Sequence, residues 1–259
     1  MNATPATVAI TSRRGRWPIA TITLAILVLA NYAHELLSRL AVYRGLYATH
    51  EFYVPESIDQ IAGVTLCVLT VWFLRDHGPR GVSRELGLSA PLLPAIAFAL
   101  IVSSPMWVGL ALARSFTPHI RLVPLSFLTA FSPFVEEVEF RGFGVRFLQR
   151  GTEWPFWLVV WPSALLFGLG HVEQGQTFRE MAELFFLTCA GGVTFAWLVY
   201  RWQNLWMAVA LHICMNLWWE LFSVARSAIG GWLPLALQNL TMVLAIIVTL
   251  RWTHRRTRQ

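Results

Sequence analysis

Glu136-Glu137-Val138-Glu139-Phe140-Arg141-Gly142 lies inside a segment, about 123–148, whose composition otherwise reads as membrane-spanning. An ionisable side chain at the bilayer centre costs about 2.5–3.5 kcal/mol on insertion scales. Four of them within six residues are tolerable where they face a protein interior, pair with one another, or do chemistry. The stretch therefore points to a helix buried among other helices. It also poses a question for the rest of the chain: which other polar groups sit at the same depth.

The 259 residues are 56% hydrophobic and 13% charged, with a mean hydropathy of +0.55. Soluble domains run nearer 25% charged, so the expected fold is an all-α polytopic membrane protein, a bundle of about eight transmembrane helices. Apolar runs fall at Trp17–Leu37 and at about 58–74, 92–113, 123–148, 155–171, 182–200, 204–222 and 232–250. Between the first two, Ser38–Ser57 is rich in tyrosine and charge and reads as interfacial. Trp17, Trp72, Trp154, Trp202, Trp232 and Trp252 fall near run ends, as in an aromatic belt.

The 20 basic residues are all arginine, and the net charge is +6. They flank apolar runs and form no single patch, which excludes nucleic acid as a partner. With the N-terminus placed inside, thirteen arginines fall on the cytoplasmic side and six outside, with Arg141 left in the membrane. The expected organisation is a cytoplasmic tail over 1–16, N-terminal transmembrane helices over 17–119, a transmembrane core over 120–222 that holds the charged stretch, and a last helix with a basic tail over 223–259. A basic start followed by an apolar run also describes a signal peptide, but without a crisp cleavage site the run reads as an uncleaved first helix. Arginine-only basicity and compact loops suggest a bacterial inner membrane, with both termini cytoplasmic. Cys67, Cys189 and Cys214 lie in apolar runs without CxxC spacing and read as buried small hydrophobes.

At membrane depth, Glu137 and Arg141 are spaced i, i+4 with Glu N-terminal, the favourable order for an ion pair. Glu136 then points about 100° away round the helix, with Glu139 three residues on and able to share its face. A desolvated carboxylate at Glu136 is a candidate general base. Pro133 removes a backbone hydrogen bond just upstream and is expected to kink the helix. Phe167 and His171 share a face of a later helix, with Gly168 and Gly170 permitting close helix approach. His212 and Asn216 repeat the i, i+4 spacing near the middle of another. A carboxylate, two imidazoles and an amide on three helices are parts that catalysis or transport requires.

Other chemistries fall away. There is no GxSxG elbow, and His34-Glu35 and His50-Glu51 lack the second histidine of HExxH. His34, His77, His119 and His254 read as solvated or interfacial, and Glu173 as a loop residue with a supporting role open to it. A proton-coupled transporter would use the same Glu and His residues as a relay, but no matched pair of broken helices marks an inverted repeat. A non-catalytic scaffold or immunity protein is the other alternative.

Taken together, Glu136-Glu137-x-x-x-Arg141, Phe167-x-x-x-His171 and His212-x-x-x-Asn216, in that order, resemble the signature motifs of the CPBP family. These are the CAAX proteases and bacteriocin-processing enzymes, or Abi family, including type 2 CAAX prenyl endopeptidases. The resemblance covers about 120–220, and Glu139 is a departure within the first motif. It implies an eight-helix intramembrane endopeptidase in which Glu136 activates the attacking water and His171 assists. His212 and Asn216 would stabilise the oxyanion, with Glu137 and Arg141 in support. No cofactor is favoured; if a metal is bound, Glu136, His171 and His212 form a His2Glu zinc set. The implied partners are membrane lipids and a membrane-anchored or secreted peptide or protein substrate.

Overall fold

The computed structural model describes residues 13–75, 78–113, 121–222, 224 and 230–256. Most of the expected N-terminal tail, His77, His119, the side chain of His254 and the last three residues lie outside it. The described residues contain helices and no strand. In chain order, α1 is Arg13–Asn31, α2 Ala33–Leu37, α3 Ala41–Thr49, α4 Tyr53–Leu74, α5 Pro79–Leu86, α6 Leu93–Val102 and α7 Ser104–Ala113. A continuous helical stretch over 122–152 follows, built from α8 Leu122–Ser126, a π segment Phe127–Phe131, α9 Ser132–Glu136, a second π segment Glu137–Phe147 and α10 Leu148–Thr152. The remaining helices are α11 Phe156–Leu169, α12 Phe178–Trp202, α13 Trp206–Leu221 and α14 Trp232–Arg256.

All-α membrane architecture is what the apolar runs lead one to expect, but the count of eight spans is not established. Four helices among the described residues are long and apolar enough to cross a membrane, and five if the α6–α7 pair, bent by 44°, is one span. The physical reasons are specific. The first run breaks at Tyr32 into α1 and α2, α13 has 16 residues, and the 122–152 stretch carries too much charge for a hydropathy test.

That charged stretch is the centre of the fold. Every residue of the second π segment except Arg146 is buried, surrounded by α1, α4, α5, α11 and α12. Its charges are thus placed in protein, not in lipid. The disturbance expected at Pro133 takes the form of the first π segment. The Ser132 N–H reaches five residues back to the Phe127 carbonyl, immediately before the residue that has no N–H to give.

Neighbouring helices are fixed to this centre by small residues and side-chain donors. Ser163 Oγ on α11 donates to the Phe140 carbonyl at 2.7 Å. A Cβ on Gly168 would lie 3.0 Å from the Phe185 carbonyl oxygen, so α11 and α12 approach closely there, as the sequence suggests. The start of α13 is anchored to the turn after α5. Leu205 N–H donates to Gly87 O at 3.1 Å, Trp206 Nε1 to Leu88 O at 3.0 Å, and Asn204 Nδ2 to Pro91 O at 3.0 Å. Trp206 also stacks on Phe134, ring centroids 5.9 Å apart. These bonds set the rotation of α13 and hence the direction of His212.

Because the obstacle at Gly168 is backbone, it cannot swing aside. Gly168→Ala should therefore destabilise the protein by about 1–3 kcal/mol, measurable as earlier unfolding of the detergent-solubilised protein.

Candidate active site

The π segment brings Glu137 and Arg141 together as their spacing requires: Arg141 Nη1 donates to Glu137 Oε1 at 3.0 Å, with both side chains almost wholly buried. The guanidinium also lies over the Phe167 ring, 4.1 Å from its centroid, and near Phe195 at 5.4 Å. A buried arginine is thus held by one carboxylate and two aromatic faces. Glu137 has a second partner, His212 Nδ1, 2.9 Å from the same Oε1. Against a carboxylate, Nδ1 is the donor, so Nε2 is left on the other side of the ring. It faces Glu136 Oε2 at 3.9 Å, too far for a direct hydrogen bond.

Glu136 is oriented from elsewhere. Ser132 Oγ, one turn earlier, donates to Glu136 Oε1 at 2.8 Å, and Gln60 Nε2 on α4 donates to Ser132 Oγ at 2.7 Å. This Gln60–Ser132–Glu136 chain carries no motif, yet it fixes the carboxylate on which the motif reading depends. His171, just past the end of α11, donates from Nδ1 to the Phe167 carbonyl at 2.8 Å, a bond that leaves Nε2 as the acceptor of the neutral ring. Phe167 therefore serves twice: its ring covers Arg141 and its carbonyl sets the tautomer of His171.

A cavity of about 160 Å3 opens beside these groups, lined among others by Glu136, Glu139, His171, His34, Asp59 and Gln60. Glu139 shares the cavity with Glu136, as their i, i+3 spacing allows. Its carboxylate rests against Gly63, where any side chain would displace it. His34 is exposed, as the solvated reading expects, yet it is hydrogen-bonded at the cavity's edge. Its Nδ1 lies 3.1 Å from both Asp59 Oδ2 and Tyr43 Oη, and Tyr43 also donates to Asp59. Burial and the Asp59 carboxylate hold the Tyr43 hydroxyl well above its ordinary pKa, so it remains a donor.

Not every candidate converges. Asn216 gives an amide hydrogen to the Leu128 carbonyl at 3.1 Å, and neither it nor His212 lines the cavity. Glu173 is exposed in the turn Val172–Gln174. Among the described residues, no three His, Cys, Asp or Glu side chains group as metal ligands. The Glu136, His171 and His212 set does not fit zinc in this arrangement. Gln60, Ser132, His34 and Asp59 were missed by motif reading. The signal available was polar spacing on α4, where Glu56, Asp59 and Gln60 fall on one face of an otherwise apolar helix.

Residues 117–218 match the family model described as Type II CAAX prenyl endopeptidase Rce1-like. The matched family is the one that the motifs resemble. The matched segment holds Glu136, His171, His212 and Asn216, whereas Gln60, His34 and Asp59 lie before it. The match is to CAAX-type endopeptidases, and together with the apolar helices it suits an integral membrane protein. No curated protein and no solved structure matches the chain.

The buried pair yields a stability test. Arg141→Met leaves a carboxylate buried without its cation and should destabilise the protein by about 3–5 kcal/mol. Arg141→Met combined with Glu137→Gln should lose less than Arg141→Met alone, as read by chemical unfolding of all variants.

Proposed function

We propose that the chain is an intramembrane endopeptidase that hydrolyses a peptide bond of a membrane-associated or lipidated protein, using a water activated by Glu136. The observation that carries this reading is the setting of Glu136. One oxygen is held by Ser132, the other faces His212 Nε2, and the carboxylate borders a cavity shared with His171.

In this mechanism Glu136 accepts a proton from water as the water oxygen bonds to the scissile carbonyl carbon. His171 Nε2 accepts a hydrogen bond from the same water and aligns it. The oxyanion of the tetrahedral intermediate takes hydrogen bonds from His212 and from the second amide hydrogen of Asn216. Since Glu137 occupies Nδ1–H, His212 donates from Nε2 when its ring carries both protons. Glu136 then returns its proton to the leaving nitrogen as the C–N bond breaks, giving a carboxylic acid and an amine, which exchange a proton to become a carboxylate and an ammonium. Donors of this kind contribute about 2.7–4 kcal/mol each in a water-poor site. Glu137 and Arg141 hold His212 in place, and Gln60 and Ser132 hold Glu136. No step runs through a metal.

The same reading places the protein in a bacterial inner membrane with both termini cytoplasmic. The cavity is then on the outer side, because Asn31 and His34 follow the far end of α1 from Arg16.

Glu136→Gln should lower cleavage by about 10²–10⁴-fold without loss of folded protein, and His171→Ala and His212→Ala should also impair it. Terminal-peptide mass spectrometry of membranes carrying wild type or Glu136→Gln would identify the substrates. Unchanged termini across all three variants would sink the enzyme reading. Activity should survive chelators, and elemental analysis of the purified protein should find no stoichiometric zinc; loss of activity restored by zinc would overturn the metal-free mechanism. A thiol introduced by Glu173→Cys should be labelled by an impermeant reagent from outside the cell, and one introduced by Arg75→Cys should not.

A further inference from the structure

The charge on α5 is divided between two faces. Gly81, Val82, Glu85 and Leu86 are buried against α4 and the second π segment, where Arg150 Nε meets Glu85 Oε2 at 3.0 Å. The acid of this helix is thus neutralised on its inner face. Arg80 and Arg84, one turn apart, stand exposed on the outer face, and Arg80 pairs with no carboxylate among the described residues. A groove of about 460 Å3 lies beside them, lined by Pro79, Arg80, Ser83, Arg84 and Ser89. Two guanidiniums and two hydroxyls can all donate hydrogen bonds, and no carboxylate among the described residues lines the groove. Such a set receives an anion, and the guanidinium fork is matched to phosphate oxygens.

The surroundings of the groove are apolar and face outward. Phe73, near the end of α4, is 69% exposed, and Leu93, the first residue of α6, is 75% exposed. Leu93, Ile96 and Leu100 are spaced i, i+3, i+7 and all exposed, so one apolar face of α6 runs away from the groove. At the same end of the bundle Trp202 and Trp252 stack with centroids 5.2 Å apart, as aromatic residues do at headgroup level. A soluble phosphate compound would use the arginines and leave this apolar face untouched. A phospholipid uses both, and basic pockets at the ends of membrane helices suit anionic headgroups.

We infer that this groove binds an anionic phospholipid, its phosphate held by Arg80 and Arg84 with Ser83 and Ser89, and an acyl chain laid along Leu93, Ile96 and Leu100. The site is independent of the protease activity proposed above. It is nonetheless joined to α13, because Ser89 lies between Leu88 and Pro91, whose carbonyls anchor the start of that helix. A bound lipid therefore braces the loop that sets the direction of His212.

Native mass spectrometry of the purified full-length protein would read the preference directly. The probes are phosphatidylglycerol and phosphatidylcholine with the same acyl chains. The tightest-bound lipid should favour phosphatidylglycerol by at least about tenfold. Arg80→Gln with Arg84→Gln should bring that ratio close to one, and Arg80→Gln alone should lower it. Arg201→Gln with Arg251→Gln removes as much charge from the same end of the bundle and should keep the preference. Equal affinity for the two lipids in the wild type, or an equal loss in the two double variants, would overturn the site.

Phosphatidylglycerol should also delay thermal unfolding of the wild type and not of the Arg80→Gln, Arg84→Gln protein; the same delay in both would count against the groove. Glycerol 3-phosphate distinguishes the source of the phosphate. At millimolar concentration it should leave the bound lipid in place, since it has no chain to lay on α6. Displacement of phosphatidylglycerol under those conditions would overturn the lipid assignment in favour of a soluble phosphate compound.

Discussion

The contact between Glu137 and Arg141 decides where the rest of the structure can lie. A buried carboxylate and guanidinium are worth little as a pair, since desolvation offsets most of their attraction. What they impose is geometry. Arg141 must be covered on the sides Glu137 does not reach, and Phe167 and Phe195 do so from α11 and α12. Glu137 must find further donors, and His212 supplies one from α13. Three helices are therefore brought to the central helix by the requirements of one ion pair. Two of the side chains recruited, Phe167 and His212, are themselves the residues that set up His171 and face Glu136.

The π segments extend this logic. An α-helix keeps its carbonyls occupied, whereas a π stretch strains that ladder and is often found at functional sites. Here each π segment gives a carbonyl to a neighbouring helix: Leu128 accepts from Asn216 on α13, and Phe140 accepts from Ser163 on α11. The central helix is thereby tied to the elements carrying His212 and His171 by backbone as well as by side chains. Positions on such a scaffold are held more closely than loops would allow.

This explains what could be read from the chain and what could not. Glu137 with Arg141, Phe167 with His171 and His212 with Asn216 are each one turn apart on one helix, and local spacing reveals such pairs. Their roles were less visible. The i, i+4 interval between Phe167 and His171 suggested two side chains on a face, but the structure uses the Phe167 carbonyl for the histidine and its ring for the arginine. The Gln60–Ser132 bond spans 72 residues, and no local periodicity encodes it. Asp59 stands at the start of the apolar run 58–74, where hydropathy alone gives an acidic residue no reason to be buried. It is instead buried in the second turn of α4. The number of spans was least legible, because the most deeply buried helix is also the most charged, and hydropathy measures affinity for lipid rather than for protein.

A functional consequence follows from how the two histidines are held. His171 gives its Nδ1 proton to a neutral carbonyl and His212 gives its own to a carboxylate. In each case Nε2 is the atom left for chemistry, and one kind of ring is thereby set in two different electrostatic surroundings. Such an asymmetry suits a hydrolase, which needs an acceptor to align water and a donor to meet an oxyanion. A simple proton relay places no such demand, because each of its members must both take and pass on a proton. The carbonyl beneath one ring and the carboxylate beneath the other, more than the number of ionisable groups in the membrane, are what support the proposed hydrolysis over transport.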